Sequence, residues 1–260
     1  MAGFFGLFNY EKEGPGIAKD APPKKSFIVF LEMFKRNFWK FIPVSIISVL
    51  ISIPVITNGL ACVGITNVVR NTARDKHSFG MSDYFETVKK NWKQALAAGI
   101  INTVIVALTV FSARFYLDQY KASGSYLHLT GFSIMMSLLI IFNFAQYYMW
   151  TMMITFKLKL KDIYKNSFKI AIANLWRNLL VGILMLLTYA LYYAVVYFLG
   201  QFVITWVFVG FFILCTLPTY RFLMIQFVAF PAIKKYMIDP YYEEHPDDDI
   251  EQRKNLGLLD

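Results

Sequence analysis

QALAAGIINTVIVALTVFS, residues 94–112, runs nineteen residues without a Lys, Arg, Asp or Glu. At a helical rise of about 1.5 Å per residue it nearly crosses the roughly 30 Å of hydrocarbon in a bilayer. Runs of the same kind recur from Thr130 to Phe156, from Leu179 to Thr205 and on to Leu217. A soluble chain of this size buries its core with short apolar stripes interrupted by charge, not with uncharged blocks of membrane thickness. Composition agrees, with 57% hydrophobic, 18% aromatic and only 17% charged residues. The expected class is an all-α membrane protein.

An earlier apolar region, Phe41 to Val69, is also free of charge but is cut by Ile53-Pro54 and Asn58-Gly59. Proline and glycine there predict a hairpin with arms near 38–53 and 54–71. Both arms are shorter than an ideal span, so a tilted, thin-membrane or re-entrant arrangement stays open. At the other end of the chain, Gly200-Gln201 separates a span ending near Leu199 from one running to about Phe230, with Pro218 as a kink. The count is about six spans.

Basic residues mark the cytoplasmic side, because Lys and Arg in short loops resist translocation. Seven precede the first span, six lie between Arg70 and Lys93, six between Lys157 and Arg177, and four follow the last span. The opposite side has only Arg114 and Lys121, and Arg221 falls inside an apolar run. Both termini are therefore expected in the cytoplasm. The net charge of +9 is absorbed by topology and by contact with membrane lipids, and no nucleic-acid module is visible. The start of the chain, MAGFFGLFNYEKEGPG, carries no sustained apolar run with a small-residue cleavage site, so no signal peptide is expected. Cys62 and Cys215 both sit in apolar segments, where a buried thiol is the ordinary meaning.

Three short segments resemble one another: Lys35-Arg36-Asn37-Phe38-Trp39-Lys40, Lys89-Lys90-Asn91-Trp92-Lys93 and Asn174-Leu175-Trp176-Arg177-Asn178. Each joins an amphipathic stretch to a span. The apolar stripes are Phe27, Leu31, Phe34 and Phe38; Phe85, Val88, Trp92 and Leu96; and Tyr164, Phe168, Ala171 and Leu175. The repeating unit is then a cytoplasmic elbow helix with Asn37 and Trp39, Asn91 and Trp92, or Asn174 and Trp176 at headgroup depth, followed by a helical hairpin. This divides the chain into a cytoplasmic segment 1–25, three repeats (about 26–75, 82–160 and 161–236) and an acidic cytoplasmic tail, 237–260. The bland alternative is three independent anchors, since aromatic and basic residues gather at any cytoplasmic interface.

Arg221 is the most unusual position, because a guanidinium at bilayer centre costs at least about 2.5 kcal/mol. It either faces a binding site or lies near the inner headgroups and snorkels there. Asn143 and Gln146 share a helical face, and with Asn102 and Asn58 they either converge on a polar cavity or bond neighbouring helices. The Tyr- and Trp-rich runs 146–150 and 189–193 stack on sugar rings or simply pack. His77, His128 and His245 are scattered, and no HExxH, Walker lysine or GxSxG motif occurs. An enzyme, a cofactor and a metal site are not expected, and the tail around Asp247-Asp248-Asp249 lacks the alternation of a calcium loop.

Phe8-Asn9-Tyr10 with Gly14-Pro15-Gly16, Ile53-Pro54-Val55-Ile56-Thr57, Val68-Val69-Arg70-Asn71, Ser82-Asp83-Tyr84-Phe85 and Asp239-Pro240-Tyr241-Tyr242 resemble the YesL-like family of bacterial membrane proteins. Where that family usually has Gly-Pro-Ala-Thr after the first hairpin's turn, this chain has Asn58-Gly59-Leu60-Ala61. The resemblance implies the cell membrane of a Gram-positive bacterium and a setting beside carbohydrate ABC importers, with no established ligand or catalytic residues. The function it implies is a non-enzymatic accessory or regulatory subunit that binds permease subunits of a sugar importer. The alternative is an autonomous transporter or channel for a small solute.

Overall fold

The computed structural model describes residues 26–74, 76, 78–199 and 203–244. The expected N-terminal segment, the Gly200-Gln201 turn, and the tail beyond Glu244 with its acidic cluster lie outside the described residues. Every described element is helical. The helices are α1 (Ser26–Arg36), α2 (Phe38–Ser52), α3 (Asn58–Ala73), α4 (Met81–Ser123), α5 (Tyr126–Thr155), α6 (Leu160–Ala173), α7 (Leu175–Leu199), α8 (Val203–Ile233) and α9 (Asp239–Glu244). A 3-10 turn, Val55–Thr57, joins α2 to α3, and a π-helical turn, Lys234–Ile238, joins α8 to α9, so the start of the tail continues the last long helix.

Four helices are long and apolar enough to cross a membrane: α4, α5, α7 and the one that includes most of α8. The expected count of six falls short on the first hairpin, whose arms α2 and α3 have 15 and 16 residues. At helical rise that is only about 24 Å each. The depth of its tip follows from two glycines. A Cβ on Gly59 would stand 2.0 Å from the carbonyl oxygen of Ala95 and 3.0 Å from the Cα of Gly99, so only glycine lets α3 cross α4 there. Gly99 lies early in the apolar run of α4, whose helix continues 24 residues further to Ser123. The tip of the first hairpin therefore stops well short of the α4–α5 turn.

The three segments expected as elbows take two backbone forms. Asn37 and Asn174 break the helix, with φ/ψ of −104°/13° and −114°/28°. Asn91 does not, so the second elbow and its span are one continuous helix of 43 residues. All three asparagines nevertheless make the same bond: Nδ2 donates to the carbonyl four residues earlier, Met33, Thr87 and Ile170, at 3.0, 3.0 and 3.2 Å. Trp39, Trp92 and Trp176 all point outward.

Counted from the asparagine, the buried register is common to the three segments. Seven residues before it stand Phe30, Tyr84 and Ser167; four before, Met33, Thr87 and Ile170; four after, Phe41, Ala95 and Asn178; seven after, Val44, Ala98 and Val181. Each of these is buried. The packing is also cyclic. The first elbow and α2 lie on α8, the second elbow with α4 on α3, and α6 on α5, while α3, α5 and α8 touch one another at the centre.

This register corrects the stripes read from the sequence. Leu31, Phe85, Trp92 and Leu175 are exposed, and the buried face is rotated by about one residue toward smaller or more polar side chains. Where lipid is as apolar as leucine, helices meet through small and hydrogen-bonding residues, and the bulky apolar ones are left to the solvent. The core itself is confined to the end of the bundle that carries the basic loops, built from Val63–Val69 of α3, Phe144–Met153 of α5, Leu223–Ile233 of α8 and the elbow residues. Beyond it, Leu108, Phe111, Leu127, Leu138, Leu186, Leu191, Phe208 and Phe211 are bare.

Candidate functional site

From the tip of the short first hairpin to two turns down α3, the bundle leaves room between α3 and the longer helices α4, α5 and α8. A cavity of about 700 Å³ occupies that space, within the range of sites for small ligands. Asn58, Asn102, Asn143, Gln146 and Arg221, the five polar residues singled out within apolar runs, all line it. Tyr147, Trp150, Phe142 and Phe222 supply aromatic wall, and Cys62, Thr66, Thr103 and Gln226 further polar atoms. A second cavity of about 250 Å³ lies between α2, α3, α7 and α8 and shares Asn58, Cys62, Arg221 and Phe222 with the first.

Two of the four amides among them satisfy each other. Asn102 donates from Nδ2 to Gln146 Oε1 at 2.8 Å and accepts from Gln146 Nε2 at 3.2 Å. Tyr164, reaching in from the third elbow, donates to Asn102 Oδ1 at 2.6 Å. This network fixes α4, α5 and α6 while keeping a polar edge in the cavity. Asn58 Oδ1 accepts from Ser52 at 3.2 Å, and Asn143 is exposed within the cavity mouth.

Arg221 and Gln226 are different, because each has an atom left over. The Nε of Arg221 and the Oε1 of Gln226 are buried and have no hydrogen-bond partner. Gln226 is 2% exposed and spends its amide nitrogen on Thr151 Oγ1 at 2.9 Å. No residue lining either cavity is acidic. Arg221 lies thirteen residues before Lys234, about 20 Å along the helix.

Below the cavity the bundle is closed. Past the deepest lining residues, Thr66 of α3, Trp150 of α5 and Gln226 of α8, Val68, Val69, Met152, Ala229 and Ile233 are all buried to within 1%. At the basic end itself Arg70 ties α3 to α5 through Thr155 Oγ1 at 2.9 Å, and its other nitrogen donates to Asn67 at 2.8 Å. Arg74 stacks over Phe230 of α8 at 3.7 Å. Burial holds the Arg74 guanidinium down to about 10. Lys76 beside it is lowered by burial first and then by the charges of Arg74 and Arg70. Among the described residues no three His, Cys, Asp or Glu side chains gather as metal ligands.

Residues that sequence reading missed include Gln226, Thr66 and Tyr164. Gln226 carried the same signal as Asn143, an amide in an uncharged run; Tyr164 was read as part of an amphipathic stripe.

Residues 41–113 match the family model described as a protein of unknown function, DUF624. The DUF624-like segment takes in nearly all of α2, the whole of α3 and the first three quarters of α4, and thus the Gly59–Gly99 crossing and the α3 and α4 walls of the cavity. A family of this type is compatible with the YesL-like resemblance. No curated protein and no solved structure matches the chain.

Proposed function

We propose that the protein is a non-enzymatic, multi-pass membrane protein that holds a small polar solute within the bilayer and serves as an accessory or regulatory subunit of a bacterial carbohydrate ABC importer. The observation that carries this reading is the one-sided cavity. Amides, an arginine and aromatic rings are the side chains that recognise hydroxyl-rich solutes by hydrogen bonding and stacking. The buried layer beneath them argues against a pathway from one face to the other. The importer setting comes from the YesL-like resemblance, and the apolar flanks of α4, α5, α7 and α8 offer surface on which membrane helices of a permease can pack.

In this arrangement the three repeats form three hairpins, each led by an elbow at the cytoplasmic face. The second and third hairpins span the membrane, and the first enters from the cytoplasmic side and turns back beside Gly99. Both termini then lie in the cytoplasm, as the basic loops require. Irregular backbone at Ile53–Thr57 is tolerable at that depth because it packs on α4 and borders the cavity.

A mild-detergent pull-down of the tagged protein from its native membrane, followed by gel filtration and mass spectrometry, tests the reading. Recovery of ABC permease subunits near equal stoichiometry supports it. A lone protein that passes solute across liposomes by itself replaces it with an autonomous transporter.

A further inference from the structure

The two orphaned groups in the cavity specify what the ligand must supply. Arg221 offers a buried Nε–H with no acceptor, in a cavity whose lining contains no carboxylate. Gln226, almost wholly buried, offers an acceptor with no donor. An ionised guanidinium in an apolar bundle is costly unless an anion meets it, and no acidic side chain of the wall does. An unfilled amide oxygen calls for a hydroxyl or N–H. Asn143, with its side chain exposed at the mouth, and the edge of the Asn102–Gln146 pair add neutral hydrogen-bonding capacity around a shelf of Tyr147 and Trp150.

We propose that the ligand of this cavity is an anion, a carboxylate or a phosphate on a hydroxyl-bearing body, with its charge against Arg221 and a hydroxyl against Gln226. This deepens the solute-binding reading above and rests on it. The same chemistry belongs to a sugar acid, to a sugar or glycerol phosphate, and to the glycerol phosphate headgroup of an anionic lipid entering from the surrounding bilayer. The second cavity shares Arg221 and Asn58 with the first, so the arginine borders both.

The full-length protein in nanodiscs of neutral phosphatidylcholine, titrated calorimetrically with glucuronate, glucose, glycerol 3-phosphate and glycerol, tests the proposal by matched pairs that differ in charge. The expected result is at least about tenfold tighter binding of the anion in one pair, as for hydrogen bonds to charged groups. R221Q removes that preference and R221K keeps part of it, and Q226L weakens the anion without removing the charge preference. Phosphatidylglycerol that stays bound to the wild type through delipidation and is lost from R221Q also supports the proposal, and names the lipid headgroup as the source.

Equal binding of charged and neutral probes, or an unchanged anion preference in R221Q, overturns it. So does the absence of any bound anion, soluble or lipid. Equal binding of anion and neutral probe in both pairs leaves solute binding standing while the anion fails. Permease recovery in the pull-down is independent of Arg221, so the two readings fail separately.

Discussion

Gly59→Ala tests the packing that holds α3, one wall of the cavity, against α4. The added methyl carbon would lie 2.0 Å from the carbonyl oxygen of Ala95, a backbone atom that cannot turn aside, and 3.0 Å from the Cα of Gly99. Relief requires α3 to move away from α4 by more than 1 Å, which opens the Asn67, Tyr84 and Gly64 contacts along the same interface. Overpacking of this kind costs about 1–3 kcal/mol, and a backbone obstacle places it at the upper end. The better helix propensity of alanine returns at most about 1 kcal/mol. With about 2–4 °C per kcal/mol for a chain of this size, a net loss of about 2 kcal/mol lowers Tm by roughly 4–8 °C. Gly210→Ala is the control, since nothing lies within 4 Å of its added carbon. Thermal unfolding in the same detergent, followed by tryptophan fluorescence, reads both. If Gly59→Ala melts within a degree of the wild type or above it, as the unobstructed Gly210→Ala is expected to, the close crossing is wrong and with it the depth of the first hairpin.

Removing the uncompensated charge of Arg221 by Arg221→Met leaves Tm unchanged or raises it in ligand-free protein; a fall of several degrees would mean that the guanidinium has a structural partner. Tyr148→Phe strands Asn178 Oδ1, which now accepts from the tyrosine at 2.5 Å in a fully buried site, and costs about 1–3 kcal/mol; a double-mutant cycle with Asn178→Ala that shows no coupling refutes the bond. Because burial lowers the Arg74 guanidinium to about 10, the folded protein binds fewer protons than the unfolded chain from that pH upward. The burial penalty is complete below pH 10 and is relieved above it, so wild-type stability rises relative to Arg74→Gln on going from pH 9 to 11. A difference that stays flat over that interval contradicts the buried placement of Arg74.

The helical class and the four long apolar helices were legible, because uncharged runs such as 94–112 are what a bilayer demands of a helix that crosses it. The cavity wall was legible for a related reason. An amide or a guanidinium inside an apolar run is costly in lipid, so Asn58, Asn102, Asn143, Gln146 and Arg221 had to face inward. Which face of each elbow is buried was not legible. Leu31, Phe85 and Trp92 look like core residues to a rule learned in water, whereas Tyr84, Thr87 and Ala98 are the residues that meet another helix. The depth of the first hairpin was hidden as well. It depends on Gly59 meeting Gly99, forty residues away, and no local pattern announces that pairing. The shared role of Asn37, Asn91 and Asn174 was visible as a repeated motif, but not that one copy would keep its helix continuous.

The central claim, a polar cavity open on one side only, is tested most directly by cysteine labelling. Asn143→Cys is placed in a background of Cys62→Ala and Cys215→Ala, in cells and in inverted vesicles, and exposed to a membrane-impermeant thiol reagent. The account predicts modification from outside the cell and none from the cytoplasmic side, with Met152→Cys, past the lining Trp150 and fully buried, unmodified from both. Labelling of either position from the cytoplasmic face would contradict it.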